Sequence, residues 1–136
     1  MSAQADAGKA VTCSIAPMLS VRHGAGGRVL QVGLRRERGL PSGSPDGAVV
    51  SRLSVDGAEF WVADESPEHS NFSPESLGGG TVRMILTVPD PDAMFARAVA
   101  AGAREVHAVT EDYGWRLGRV VDPFGHHWEI GRPLAP

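Results

Sequence analysis

The sequence holds a single cysteine, Cys13, which excludes a disulfide framework and any zinc knuckle built on paired thiolates. Its expected role is a small buried hydrophobe or inert thiol near the first strand. No apolar run approaches the ~20 residues that a membrane span requires, and no charged-then-apolar leader opens the chain. An excess of positive charge is also missing, since the net charge is −3, so no global field attracts nucleic acid. Locally, Arg22 to Arg38 carries five arginines against the single acid Glu37. That stretch has none of the interleaved aromatics on which bases stack, which argues against nucleic acid there too. Gly24-Ala25-Gly26-Gly27 lacks the Lys-Ser/Thr that completes a phosphate loop, and no nucleophile sits beside a base.

What is present is ordinary for a soluble globular chain: 136 residues, 42 % hydrophobic and 21 % charged. That length supports one domain, or two small modules sharing a core. Residues 1–12 read as a frayed tail. Ser14 to Val21 is a strand candidate, with Pro17 marking an edge or bulge. Ala48 to Val55 and Ala58 to Ala63 flank Asp56-Gly57, a strong hairpin signal. Asp64 to Gly80 is polar and long enough for a lid or an inter-module linker. Thr81 to Val88 reads as a buried strand, and Asp90-Pro91 sets an N-cap and first helical residue. The helix runs to about Ala101 on a stripe of Met94, Phe95, Ala98 and Val99, and Gly102 ends it. Strands follow at Glu105 to Val109, Trp115 to Val121 and His127 to Gly131, the last two joined by Asp122-Pro123-Phe124-Gly125. The second half thus reads strand, helix, strand, strand, strand, and the first half begins and ends on the same pattern.

Three segments carry a family resemblance: DGAVVSRLSVDGAEFWVADE (Asp46 to Glu65), VRMILTVPDPDAMFARAVAAGA (Val82 to Ala103) and YGWRLGRVVDPFGHHWEIG (Tyr113 to Gly131). Together they resemble the vicinal-oxygen-chelate superfamily of glyoxalases, bleomycin-resistance proteins and extradiol dioxygenases, and within it the PhnB-like branch. The resemblance implies an α+β fold of two βαβββ modules, about residues 13–66 and 80–133 of one domain, whose mixed sheet curls into an open cup. It also implies a homodimer, a small-molecule ligand and, in enzymatic members, a divalent metal on His, Glu or Gln side chains that acts as a Lewis acid.

The resemblance places its last-strand ligand on Glu129, and alternation sets Glu129 on the face opposite Trp128 and Ile130. Glu59 is the candidate in the first module, and His127 shares the face of Glu129. The remaining positions fall on Arg83 (or Val82) and on Ala16 or Pro17, none of which supplies a metal-binding side chain. Arg83 would instead pair with Glu129 or with an anionic group of a ligand. Tyr113 and Trp115 are expected at a pocket rim, Phe60 and Trp128 in the core, and His126 in hydrogen bonds within its turn. His23, His69 and His107 are expected in solvent. The favoured expectation is a cytoplasmic, homodimeric protein that binds a small molecule through Arg83, Tyr113, Trp115, His127 and Glu129 without a catalytic metal, cofactor, nucleic acid or membrane. The alternatives are a metal-dependent lyase, isomerase or dioxygenase using Glu59, Glu129 and His127, and a scaffold without a ligand.

One segment departs from the family. Relatives carry an aromatic-rich helix after the first strand, whereas Gly27 to Pro41 reads GRVLQVGLRRERGLP. Synonymous codons exist for which the frame displaced by one nucleotide reads GVFYKSAFGASEVYR, a string similar to the absent helix. This implies a pair of compensating frame changes near Gly26 and Ser42, real or introduced in sequencing, which the DNA sequence or an intact mass decides. As written, the segment can form a helix on Val29, Leu30, Val32 and Leu34. Gly33 within it costs about 1 kcal/mol against alanine.

Overall fold

The computed structural model describes residues 15–22, 35–36, 50–55 and 57–135. In chain order the elements are β1 (Met18–Val21), β2 (Arg35–Arg36), β3 (Val50–Val55), β4 (Ala58–Asp64), a 3-10 turn (Pro67–His69), α1 (Pro74–Leu77), β5 (Arg83–Thr87), α2 (Pro91–Ala100), β6 (Arg104–Asp112), β7 (Trp115–Val121) and β8 (His127–Pro133). Two four-stranded sheets result, ordered β1-β4-β3-β2 and β5-β8-β7-β6. Each has a parallel pair at one edge, β1 with β4 and β5 with β8, and antiparallel pairs elsewhere. The two halves therefore repeat one topology without repeating sequence, in agreement with the α+β fold expected from the sequence. Apart from Arg35–Arg36, the segment 27–41 lies outside the described residues, as do Cys13 and His23.

Alternation decides the faces. Leu19, Val21, Leu53, Phe60 and Val62 of the first sheet and Leu86, Val120 and Ile130 of the second are buried in one core with Phe95 of α2. Phe60 and Trp128 meet edge to face, with ring centroids 5.2 Å apart, an arrangement that aromatic quadrupoles favour. The core faces of the two sheets therefore look toward each other, and the opposite faces look outward.

Helix α2 forms where its caps dictate. The Asp90 carboxylate accepts from the Ala93 amide at 3.1 Å, Pro91 takes the first helical turn, and Phe95 is its deepest apolar side chain after Pro91. Phe95 fits because residue 118 is glycine: a Cβ there would lie 2.8 Å from two Phe95 ring carbons and from Val109 Cγ2.

The connection at 64–80 is tied together by its own side chains. Glu65 accepts from the Ser73 amide (2.9 Å) and the Ser76 hydroxyl (2.8 Å), and these bonds hold its carboxyl below the ordinary glutamate value. Pro74 of α1 packs so closely on the β7–β8 turn that a Cβ at Gly125 would meet it at 2.9 Å. β5 also departs from the expected buried strand: Ile85 is 62 % exposed, because among the described residues nothing covers the outward face of its sheet.

Asp122 explains the turn that carries the resemblance. Its Oδ1 accepts from the amides of Phe124 (2.9 Å) and His126 (3.0 Å), and its Oδ2 accepts from the Trp128 indole (3.0 Å). Asp122→Ala would leave three half-buried donors without their acceptor, at a cost of about 2 kcal/mol. Denaturant unfolding checks this, and a loss under about 0.5 kcal/mol would refute it. His126 joins its own turn through its backbone, while its ring reaches away from it: Nε2 lies 3.0 Å from the Ser20 carbonyl oxygen of the other sheet.

Candidate functional site

Ladder pairing arranges the outward face of the second sheet in rungs, because residues opposite each other on neighbouring strands share a face. The first rung holds Arg83, His127, Val121 and Arg104, and the second Ile85, Glu129, Arg119 and His107. The third holds Thr87, Gly131, Leu117 and Thr110, and the fourth begins with Trp115 and Asp112. Four of the five expected site residues, Arg83, Trp115, His127 and Glu129, thus fall on one face of one sheet.

Tyr113 stands at its margin. It and Gly114 form the two-residue β6–β7 turn with φ of 50° and 78°, the twist that tight hairpins adopt. The Asp112 carboxylate accepts from the Tyr113 amide at 2.9 Å, and the phenol ring is 95 % exposed. A concavity of about 250 Å³ is lined by Tyr113, Trp115, Leu117, Arg119, Glu129 and His107 among others.

Two contacts organise the charges. Arg83 Nε lies 3.5 Å from Glu129 Oε1, the pairing that the sequence suggested. Arg119 Nε donates to His127 Nδ1 at 3.1 Å, so the neutral ring carries its proton on Nε2. Burial, and then the positive charges of Arg119, Arg104 and Arg83, hold His127 below the ordinary imidazole value, with Asp122 opposing. Sequence reasoning missed Arg104 and Arg119. Their places opposite Val121 and Glu129 depend on register across three strands, which no local pattern encodes.

The sign of the pH dependence follows. A histidine whose folded value is depressed adds stability in its neutral form. That contribution is present above the unfolded value near 6.5 and is lost as pH falls through the folded value. NMR titration of His127 should give a midpoint below about 6.5, and Arg119→Gln should raise it. An unchanged midpoint in the variant would contradict the contact.

The first sheet offers a different outward face. Glu59 and Trp61 alternate with the core residue Phe60 and so share this face. Arg52 lies 5.9 Å from the Trp61 ring centroid, within reach of a cation–π contact. Glu59 is exposed on this face.

Among the described residues no three His, Cys, Asp or Glu side chains come together. Glu129 is engaged by Arg83 and His127 Nδ1 by Arg119, and the arginines around them repel a cation. Among the described residues these side chains make a poor donor set for a divalent ion.

The fold is that of the glyoxalase/bleomycin resistance/dioxygenase superfamily, to which a solved structure from Sphaerobacter thermophilus belongs; it aligns with a TM-score of 0.63 and 15 % identity over 90 % of this chain and 99 % of that one. The chain itself belongs to the Glyoxalase-like domain family, whose profile matches residues 27–131. Uncharacterised proteins of Mycobacterium bovis and Mycobacterium tuberculosis are 42 % identical over 95 residues, covering 66 % of this chain and 62 % and 56 % of theirs. The chain thus spans about three fifths of the length of these relatives. A solved gene product of Arabidopsis thaliana aligns with a TM-score of 0.64 and 28 % identity over 88 % of this chain and 97 % of that one. TnmS3, described as an antibiotic binding protein from Streptomyces, aligns with a TM-score of 0.60 and 18 % identity over 90 % and 98 %.

Proposed function

We propose that this protein binds a small organic molecule on the outward face of its second sheet, without a catalytic metal, as bleomycin-resistance relatives do. The observation that carries this reading is the single face that holds Arg83, Arg119, His127, Glu129 and Trp115, on which Arg119, Glu129 and Trp115 line a concavity of about 250 Å³. A few polar groups beside aromatic and aliphatic walls are the composition of a ligand site. Kinship in fold with an antibiotic-binding protein supports it.

The active form under this reading is a homodimer. The inward faces are consumed by the core that Phe60 and Trp128 join, so a cup closed on both sides needs the outward face of a second copy. The modules, about residues 13–66 and 80–133, act as one domain. The Asp46–Glu65 hairpin and the Asp122–Glu129 turn favour the PhnB-like branch, and the lone cysteine accords with the cytoplasm.

A thermal-shift screen of small aromatic and anionic compounds, with hits mapped by amide NMR, tests the function. Hits that perturb Trp115, Arg119 and Glu129 are expected. A screen without hits, or hits confined to other surfaces, would overturn the reading.

A further inference from the structure

We infer that the outward face of the second sheet is built for an aromatic oxyanion, with the acid group on the Arg104–Arg119 side of His127 and the ring against Trp115 and Leu117. The inference rests on the small-molecule reading above and names the class of ligand.

The geometry supplies the argument. Arg83, His127 and Arg104 share the first rung, and Arg119 follows on the second, so three guanidinium groups frame one imidazole. Among the described residues, of these cations only Arg83 makes an ion pair, with Glu129 at 3.5 Å. Among the described residues no carboxylate pairs with Arg104, and the contact of Arg119 is the uncharged Nδ1 of His127. That contact anchors the Arg119 side chain through Nε and leaves its two terminal nitrogens as donors. It also fixes the His127 proton on Nε2, so a neutral N–H donor stands among the cations. Planar guanidinium groups match the two oxygens of a carboxylate or sulfonate, and hydrogen bonds to such ions are about twice as strong as neutral ones. Trp115 and Leu117 continue the face from Arg119 at alternate positions of the same strand, β7, which places an aromatic and an aliphatic surface directly beyond the cationic end.

The experiment compares two probes with the same body, biphenyl-4-carboxylate and biphenyl-4-methanol. Binding to the full chain is followed by amide NMR titration. The carboxylate should bind at least about tenfold more tightly, a difference of about 1.4 kcal/mol. This preference should shrink as salt is raised. Arg104→Gln and Arg119→Gln should each cut the preference by about threefold or more, whereas Trp115→Ala should weaken both probes alike. Arg104 is exposed, so its variant tests the inference even where Arg119→Gln disturbs the fold.

Equal affinity for the two probes, or a preference unaltered in both arginine variants, would overturn the inference while leaving the small-molecule reading intact. Failure of both probes alongside hits from the wider screen would do the same. Absence of any ligand would overturn both.

Discussion

Phe95→Ala is expected to cost about 4 kcal/mol, the range for removing a buried aromatic ring when its surroundings cannot collapse into the space. The ring of Phe95 lies over Gly118 and against Val109, and it is the most deeply buried apolar side chain of α2 after Pro91. Gly118 has no side chain that can follow the retreating ring, so the cavity stays open. For 136 residues a loss of that size lowers Tm by roughly 14 °C at typical unfolding entropies. Phe95→Leu should recover more than half of the loss. A midpoint within about 3 °C of the parent, measured by calorimetry, would show that α2 is not held to the sheet as described.

Gly131→Ala is expected to cost about 3 kcal/mol and to damage the outward face directly. A Cβ at 131 would collide with the Leu117 side chain and stand 2.5 Å from the Arg116 carbonyl oxygen. The second contact is with backbone, which cannot rotate away, so β7 and β8 would have to separate. Those strands carry Arg119, His127, Glu129 and Trp115, so the stability loss should be accompanied by NMR shifts at all four. A stable variant with an unchanged spectrum at Arg119 and His127 would refute this.

Much of the fold was legible in the sequence because its signals are local. The Asp56-Gly57 hairpin, the Asp90-Pro91 helix start and the Asp122 turn each depend on contacts within a few residues, and each element appears where those residues place it. The local pattern predicts β6 as Glu105 to Val109, shorter than the Arg104–Asp112 of the structure. Its register shifts between Glu105 and His107 and again before Thr110 break the alternation on which that reading depends. β5 was read as buried because a run of apolar residues looks the same whether its second face meets a layer or stands open.

The site was legible in part. Alternation alone put His127 and Glu129 on one face, and the family pattern added Arg83. The electrostatic partners Arg104 and Arg119 come from strands that reach that face only through long-range pairing.

The rungs also act as a ruler. Positions that share a face recur every two residues, so successive rungs stand roughly 6.7 Å apart. Arg119 and Trp115, two rungs apart on β7, therefore have backbones separated by roughly 13 Å. A rigid molecule of about that length can touch the cationic and the aromatic ends at once, whereas one half as long must choose between them. Under the proposed function, length, independent of composition, would thus be a property by which this sheet selects its ligand.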